Sequence, residues 1–233
     1  TTQTSTGALL DNVRLTAGSN MVSAISQDWR FQNGFVNDGT VSMNSAGGAT
    51  DLEFVGTQTL GGSGEVVMSD SSQNRIFVDD AADTLTIGAN QVIRGAGQIG
   101  LNVGGTVNNG EIRQQGTINL HLDPGALGFT QNNILRAEGT GGISFGAGTF
   151  TNNTTIEALN GSNLTFLSNQ SVLVGGDLTT VGTAEIRTNQ TTIGATLDNV
   201  RLTAGSKIVS ANSHDWRFQN GFVNDGTIEM NSA

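Results

Sequence analysis

A long internal repeat constrains the fold of this chain more than any other feature. Residues 8–46 return almost unchanged as residues 195–233, a shift of 187 in residue number (195 − 8), and only seven of the 39 aligned positions differ. Self-similarity at a fixed distance is the sequence signature of an array whose units stack on one another. We therefore expect residues 1–7 to end a preceding unit, residues 8–194 to form one complete unit, and residues 195–233 to begin the next without a linker.

A shorter and looser period divides the unit. The segment FVNDGTV at residues 35–41 recurs as TVNNGEI at 106–112 and FTNNTTI at 150–156, with a degenerate copy, QNNI, at 131–134. These spacings indicate a coil of about 20 to 24 residues, the length of one turn of a β-solenoid.

Hydrophobic alternation predicts that each coil consists of short strands. Ile99, Leu101 and Val103 alternate with polar or small residues, and Gly, Asn and Asp separate such segments, as expected at sharp corners. One coil length separates Asn109 from Asn133, so we expect asparagines of successive coils to stack into amide ladders. No segment has ten residues of helical periodicity. The predicted fold is all-β, a right-handed parallel β-helix (β-solenoid) that is a fragment of a longer tandem array.

Composition restricts the function. The chain has 33 glycines, one proline, no cysteine and a formal net charge of −10, with no basic cluster. Disulfides are therefore impossible, and binding to nucleic acid or to an anionic membrane surface is not expected. No window approaches the 18 apolar residues of a membrane-spanning helix, so direct membrane insertion of this segment is not expected either.

Several motifs resemble repeats of giant bacterial surface proteins, of the filamentous-haemagglutinin and autotransporter-passenger kind. They are LTIGANQVIRGAGQIG at 85–100, TVNNGEI at 106–112, FTNNTTIEALNGSNLTF at 150–166, SVLVGGDLTTVGTAEI at 171–186 and TLDNVRLTAG at 196–205. The resemblance implies a secreted, extracellular or cell-surface bacterial protein that forms a stalk, fibre or adhesin shaft. It implies no catalytic residues. We expect its partners to be other copies of itself, through end-to-end or lateral association, together with cell-surface glycans or other cells.

Candidate chemistry is sparse. Parallel β-helices also include polysaccharide lyases and glycosidases, so the acidic cluster of Asp79, Asp80 and Asp83 is a candidate calcium or catalytic site. Carboxylates at loop corners are more often simply solvated, and neither the Gly-His-Gly nor the Arg-x-Lys motif of pectin hydrolases occurs. The only histidines, His121 and His214, are interpreted as ordinary strand or surface residues. We expect no catalytic residues, no cofactor other than calcium, and no enzymatic activity.

The aromatic segment around Trp29 and its copy around Trp216 is the best candidate contact surface. Trp29 shares one side of a strand with Phe31, whereas Arg30 lies on the other side, and Arg217 repeats Arg30 in the second copy. If the aromatic side faces outward, it offers a repeated stacking platform for sugars or a neighbouring filament. If it faces inward, it is a wide layer of the core.

Two functional hypotheses follow. The first is a structural and adhesive repeat segment that forms a rigid rod, stalk or filament for adhesion, cell contact or biofilm matrix. The alternative is a polysaccharide-binding or polysaccharide-degrading β-helix module.

Overall fold

The computed structural model describes residues 7–191 and 193–231, and its regular secondary structure over these residues consists of β-strands alone. The strands are β1 Ala8–Leu15, β2 Asn20–Ala24, β3 Asp28–Asn37, β4 Thr40–Asn44, β5 Thr50–Phe54, β6 Gln58–Gly61, β7 Glu65–Met68, β8 Asn74–Val78, β9 Thr84–Ile87, β10 Val92–Gly95, β11 Gly97–Asn108, β12 Glu111–Gln114, β13 Leu120–Gln131, β14 Ile134–Ala137, β15 Ile143–Phe145, β16 Gly148–Asn152, β17 Thr155–Ala158, β18 Asn163–Phe166, β19 Ser171–Val174, β20 Asp177–Thr180, β21 Glu185–Thr188, β22 Ala195–Asp198, β23 Arg201–Leu202, β24 Lys207–Ser210, β25 Trp216–Gln219, β26 Val223–Asn224 and β27 Thr227–Met230. Residues 1–6 of the expected preceding unit lie outside the described residues.

The strands stack in parallel on three faces of a β-solenoid of about ten turns, which confirms the predicted fold class. Face 1 contains β1, β3, β5, β8, β11, β13, β15, β18, β21, β24 and β27; face 2 contains β1, β3, β6, β9, β11, β13, β16, β19, β22 and β25; face 3 contains β2, β4, β7, β10, β12, β14, β17, β20, β23 and β26. The long strands β1, β3, β11 and β13 run round the corner from face 1 to face 2. The hand of the coil stays a prediction.

Coil length varies around the predicted value. Trp29 pairs with Ala8 on one side and with Leu52 on the other, and both steps fall within the predicted range. Ile93 pairs with Val66 of the preceding coil and with Ile112 of the following coil. The coil from Val66 to Ile93 is clearly longer than the coil from Ile93 to Ile112. Strand pairing is kept throughout because the corner loops, and not the strands, absorb the difference.

Stacked apolar side chains fill the interior. The ring of Phe31 lies 4.1 Å from that of Phe35 in its own coil and 5.3 Å from that of Phe54 in the next coil, and both pairs are stacked. Phe145 and Phe166 repeat this stacking across a later pair of coils at 4.6 Å. Burial of such rings on successive coils stabilises the stack along its axis.

The expected amide ladder is present on the surface, with one correction to its register. Asn132 donates its Nδ2 hydrogen to Oδ1 of Asn109 at 2.8 Å, and Asn153 donates in the same way to Asn132 at 2.7 Å. The predicted equivalence of Asn109 with Asn133 was therefore wrong by one residue. Asn133 instead donates its Nδ2 hydrogen to the backbone carbonyl of Asn109 at 3.1 Å.

A hydrogen bond between two buried amide side chains explains the corrected register. Asn108 is fully buried and pairs in the β11–β13 register with Gln131, whose Oε1 accepts its Nδ2 hydrogen at 2.9 Å. Asn108 also accepts a hydrogen bond from the amide of Gly110, which holds the corner. Gln131 thus takes the place of an inward asparagine, a substitution that leaves Asn132 as the outward residue.

The two copies of the repeat lie on different faces. Ala8 is on face 1, but its copy Ala195 is on face 2, where β22 pairs with β19 and β25. Eight turns along face 1 lead from β1 to β21, and β22 is the next strand, on face 2. The repeat unit therefore spans eight and a third turns. The second copy continues the stack but is rotated by one third of a turn.

Local backbone conformation is copied despite this rotation. Asn12 has a φ of 49° and its copy Asn199 a φ of 53°, while Asn33 and Asn220 have 58° and 52°. Asparagine tolerates this left-handed region better than most residues. The corners are consequently encoded locally, and the same corner sequence serves two different edges of the solenoid.

Candidate functional surfaces

The aromatic side of the repeated segment faces the core. Trp29 is half-buried and packs against the core between the coils of Ala8 and Leu52, and Phe31 in the same strand is fully buried. Trp216 also packs against the core, with its ring 5.5 Å from that of Phe166 in an edge-to-face contact. The two tryptophan rings therefore belong to the core side of their strands and form no outward stacking platform, while a ligand-contact role for this segment stays a prediction.

The arginines of this segment point outward. Arg30 forms an ion pair with Glu53 of the next coil at 2.9 Å and approaches Asp79 to 3.8 Å. Arg217 is exposed on face 2, whereas Arg30 lies on face 1. The two copies of this basic residue thus point in different directions, and they do not form one surface together with the tryptophans.

The acidic cluster stabilises loops. Asp79 accepts a hydrogen bond from the amide of Gly56 at 2.9 Å, and Asp83 accepts one from the Thr57 hydroxyl at 3.0 Å. Asp80 accepts one from an amide two residues further along its own loop, at 2.9 Å. Nowhere in residues 7–191 and 193–231 do three His, Cys, Asp or Glu side chains come together to hold a metal ion.

One contact between potential catalytic groups was not anticipated from the sequence. His121 Nδ1 lies 2.9 Å from the Ser144 hydroxyl, which also accepts a hydrogen bond from Asn119 at 2.6 Å. Burial lowers the pKa of His121, and the nearby charge of Asp123 opposes this shift. Ser144 is only 3% exposed, so the hydroxyl is covered and the contact is structural. The signal in the sequence was the spacing between His121 and Ser144, which equals one coil length.

Ion-pair ladders cover much of the outer surface. On face 3, Arg94 pairs with Glu65 at 2.9 Å and Arg136 pairs with Glu157 at 2.7 Å, each across coils. On face 1, Arg75 donates from Nε to Asp51 at 2.6 Å. These contacts neutralise charge locally, and they add axial contacts to those of the backbone.

No family model, curated protein or solved structure matches this chain. The resemblance to bacterial surface-protein repeats therefore stays a prediction based on the quoted motifs. Among the described residues, no helix is long and apolar enough to cross a membrane.

Face 2 carries a surface without charged residues. From β6 to β19, its outward side chains are threonine and valine in two axial rows, and glycine interrupts one of these rows at Gly105 and Gly128. We call this surface the threonine face, which consists of Thr59, Thr84, Thr86, Gly105, Val107, Gly128, Thr130, Thr149, Thr151, Val172 and Val174. Over the same coils, the outward residues of faces 1 and 3 include Asp51, Glu53, Glu65, Arg75, Arg94, Glu111, Arg113, Arg136 and Glu157.

Proposed function

We propose that this chain is a structural and adhesive segment of a bacterial cell-surface or extracellular protein, in which repeated units form a rigid rod for adhesion, cell contact or biofilm matrix. The observation that carries the proposal is the continuous stacking of the second copy on the first, through β19, β22 and β25. A unit that continues the stack of its predecessor extends the length of the molecule and adds no separate globule.

The dimensions support this role. Each coil advances by the spacing between strands, about 4.8 Å, so a unit of eight and a third turns advances by about 40 Å. A chain of several such units therefore carries its outer end far from the point where the protein is anchored. The axial contacts are of four kinds, namely backbone pairing, aromatic stacks, amide hydrogen bonds and ion pairs, and all of them resist bending between coils.

The polysaccharide-active alternative has less support from the described residues. The carboxylates of Asp79, Asp80 and Asp83 each accept a hydrogen bond from the protein, and the Ser144 hydroxyl is covered. An assay with uronate polymers in the presence of calcium tests the alternative directly, and cleavage or tight binding would favour it over the rod.

Chains with one, two and three copies of residues 8–194, each followed by residues 195–233, test the proposal. Electron microscopy should show rods that lengthen by about 40 Å for each added unit. Displayed on bacterial cells, longer chains should also cause more cell aggregation than the single-unit chain, which serves as the matched control. Compact particles would overturn the rod, while rods of the expected length without adhesion would overturn the adhesive role.

A further inference from the structure

The threonine face differs from the rest of the surface in charge. The chain carries a formal net charge of −10, so two copies repel each other at most approaches. The outward strand residues of this face contribute none of that charge between β6 and β19. Two copies that meet through these surfaces place no like charges directly opposite one another.

The shape of the threonine face suits contact with another flat sheet. Its side chains are short and β-branched. Leu127 lies over Gly105, where an added Cβ would come within 2.9 Å of the leucine Cβ, and the leucine is itself 55% exposed. This exposed leucine adds apolar area to a low, uncharged face when two such faces meet about a twofold axis.

We propose that the threonine face is a lateral contact surface and that its partner is the threonine face of a second copy of this chain. The two sheets would pack face to face, about 10 Å apart, with threonine and valine methyl groups between them. This inference rests on the proposed rod function, because lateral contacts join rods that already exist.

The contact area sets the expected strength. Six coils at about 4.8 Å and strands of four residues at about 3.4 Å give a face of roughly 29 by 14 Å, or about 400 Å² per copy. The pair then buries roughly 800 Å², less than the ~1,200 Å² of a stable complex. Two single chains should therefore associate weakly and reversibly, whereas several units in one rod would strengthen the contact by multivalency.

The rotation between units determines the arrangement of rods. A unit of eight and a third turns places its threonine face one third of a turn round from that of the preceding unit. Successive units would then contact different neighbours, in directions one third of a turn apart. Rods joined in this way form a three-directional bundle and not a flat ribbon.

Cysteine cross-linking tests the surface, because the natural chain contains no cysteine. Thr130→Cys places a thiol in the middle of the threonine face, and Thr165→Cys places one at a half-buried outward position of face 1. At high protein concentration under mild oxidation, Thr130→Cys should form disulfide-linked dimers and Thr165→Cys should not. Addition of Thr151→Glu to Thr130→Cys should abolish the dimers, because it places carboxylates within the contact.

Sedimentation equilibrium completes the test. The natural chain should show a concentration-dependent dimer that Thr130→Glu removes and Thr165→Glu retains, with circular dichroism confirming the fold of each variant. Equal cross-linking at both positions, or a monomer at all concentrations, would overturn the threonine face as a contact. The sedimentation velocity of the monomer reports separately on its elongated shape, so loss of the contact is distinguishable from loss of the rod.

Discussion

A pair of phenylalanine substitutions, one in each copy of the repeat, measures how much a stacked neighbouring coil contributes to the free energy of unfolding. Phe31 and Phe218 occupy equivalent positions in identical segments, Asp-Trp-Arg-Phe-Gln-Asn-Gly-Phe. Phe31 is fully buried under Phe54, whereas Phe218 is 40% exposed in this chain. The pair Phe31→Ala and Phe218→Ala therefore compares one substitution in two environments with the same local sequence.

The structure gives different magnitudes for the two substitutions. Phe31→Ala removes a buried ring from between Phe35 and Phe54 and leaves a closed cavity, which should cost about 3–5 kcal/mol. Phe218 buries about three-fifths of its surface, and water can fill the space that the ring vacates. Its loss should cost only about three-fifths of the transfer free energy of a phenylalanine, or about 1–2 kcal/mol.

Urea unfolding followed by circular dichroism provides the overall comparison. Coils of a solenoid contact only their neighbours, and the terminal coils can open before the rest. Hydrogen exchange should therefore accompany the titration. Phe31→Ala should lower amide protection in β1, β3 and β5, and Phe218→Ala should lower it only in β25 and the neighbouring β22.

Equal losses for the two variants would refute this reasoning. They would mean that the contact with Phe54 contributes nothing, so that local structure and not axial stacking stabilises the segment. A loss below about 1 kcal/mol for Phe31→Ala would lead to the same conclusion, because it lies outside the range for a filled aromatic core.

Three further predictions concern polar contacts. His121→Gln should reduce the loss of stability as the pH falls through the ordinary value of 6.5: burial lowers the pKa of His121, so the unfolded chain takes up a proton at a higher pH than the folded chain does. Asp70→Ala should cost about 1 kcal/mol at neutral pH, because this exposed carboxylate accepts hydrogen bonds from the Thr117 hydroxyl and two backbone amides. In the second copy, Lys207→Asn combined with Glu229→Ser should restore a melting temperature that either single change lowers, because the pair replaces a 2.8 Å ion pair by the hydrogen-bonded Asn–Ser pair of the first copy.

Each of these predictions has a defined contrary result. Urea titrations at several pH values test the histidine. If the free energy of unfolding of His121→Gln falls with pH as steeply as that of the natural chain, His121 is excluded as the titrating group. The hydrogen bonds, led by that of the Thr117 hydroxyl, lower the pKa of Asp70, so its contribution should disappear as the pH falls below the ordinary value of 3.8. Persistence of the difference from Asp70→Ala in acid would contradict this role. For Lys207 and Glu229, a double variant that melts below both single variants would show that the two positions are not coupled.

The sequence carried enough information for the fold class and for the inward or outward direction of most side chains. Alternation identified Ile99 as a core position, and Ile99 is fully buried. The alternation predicted to continue through Leu101 and Val103 was wrong there, because Leu101 turns into the left-handed region with a φ of 55° and both residues are only half-buried. The alternation at Trp29 and Phe31 placed the two rings on one side but left open which side faced the core. Alternation has a period of two, so it defines two sides and does not say which one meets the interior.

Contacts between coils needed the structure because they depend on register. The pairing of His121 with Ser144, and the shift of the outer ladder from Asn133 to Asn132, each follow from where a corner begins and ends. A corner of one residue more or less moves the whole following strand. Nothing in a single coil fixes that length independently of its neighbours.

Taken alone, the sequence determined that a long unit repeats and that its corners keep the same conformation, because asparagine and glycine impose their backbone preferences locally. Only the tertiary structure decided that Ala8 and Ala195 lie on different faces. The rotation is the sum of all the coil lengths in the unit, which differ from one coil to the next, and that sum does not close on a whole number of turns. The direction of each repeated surface is therefore a property of the entire stack.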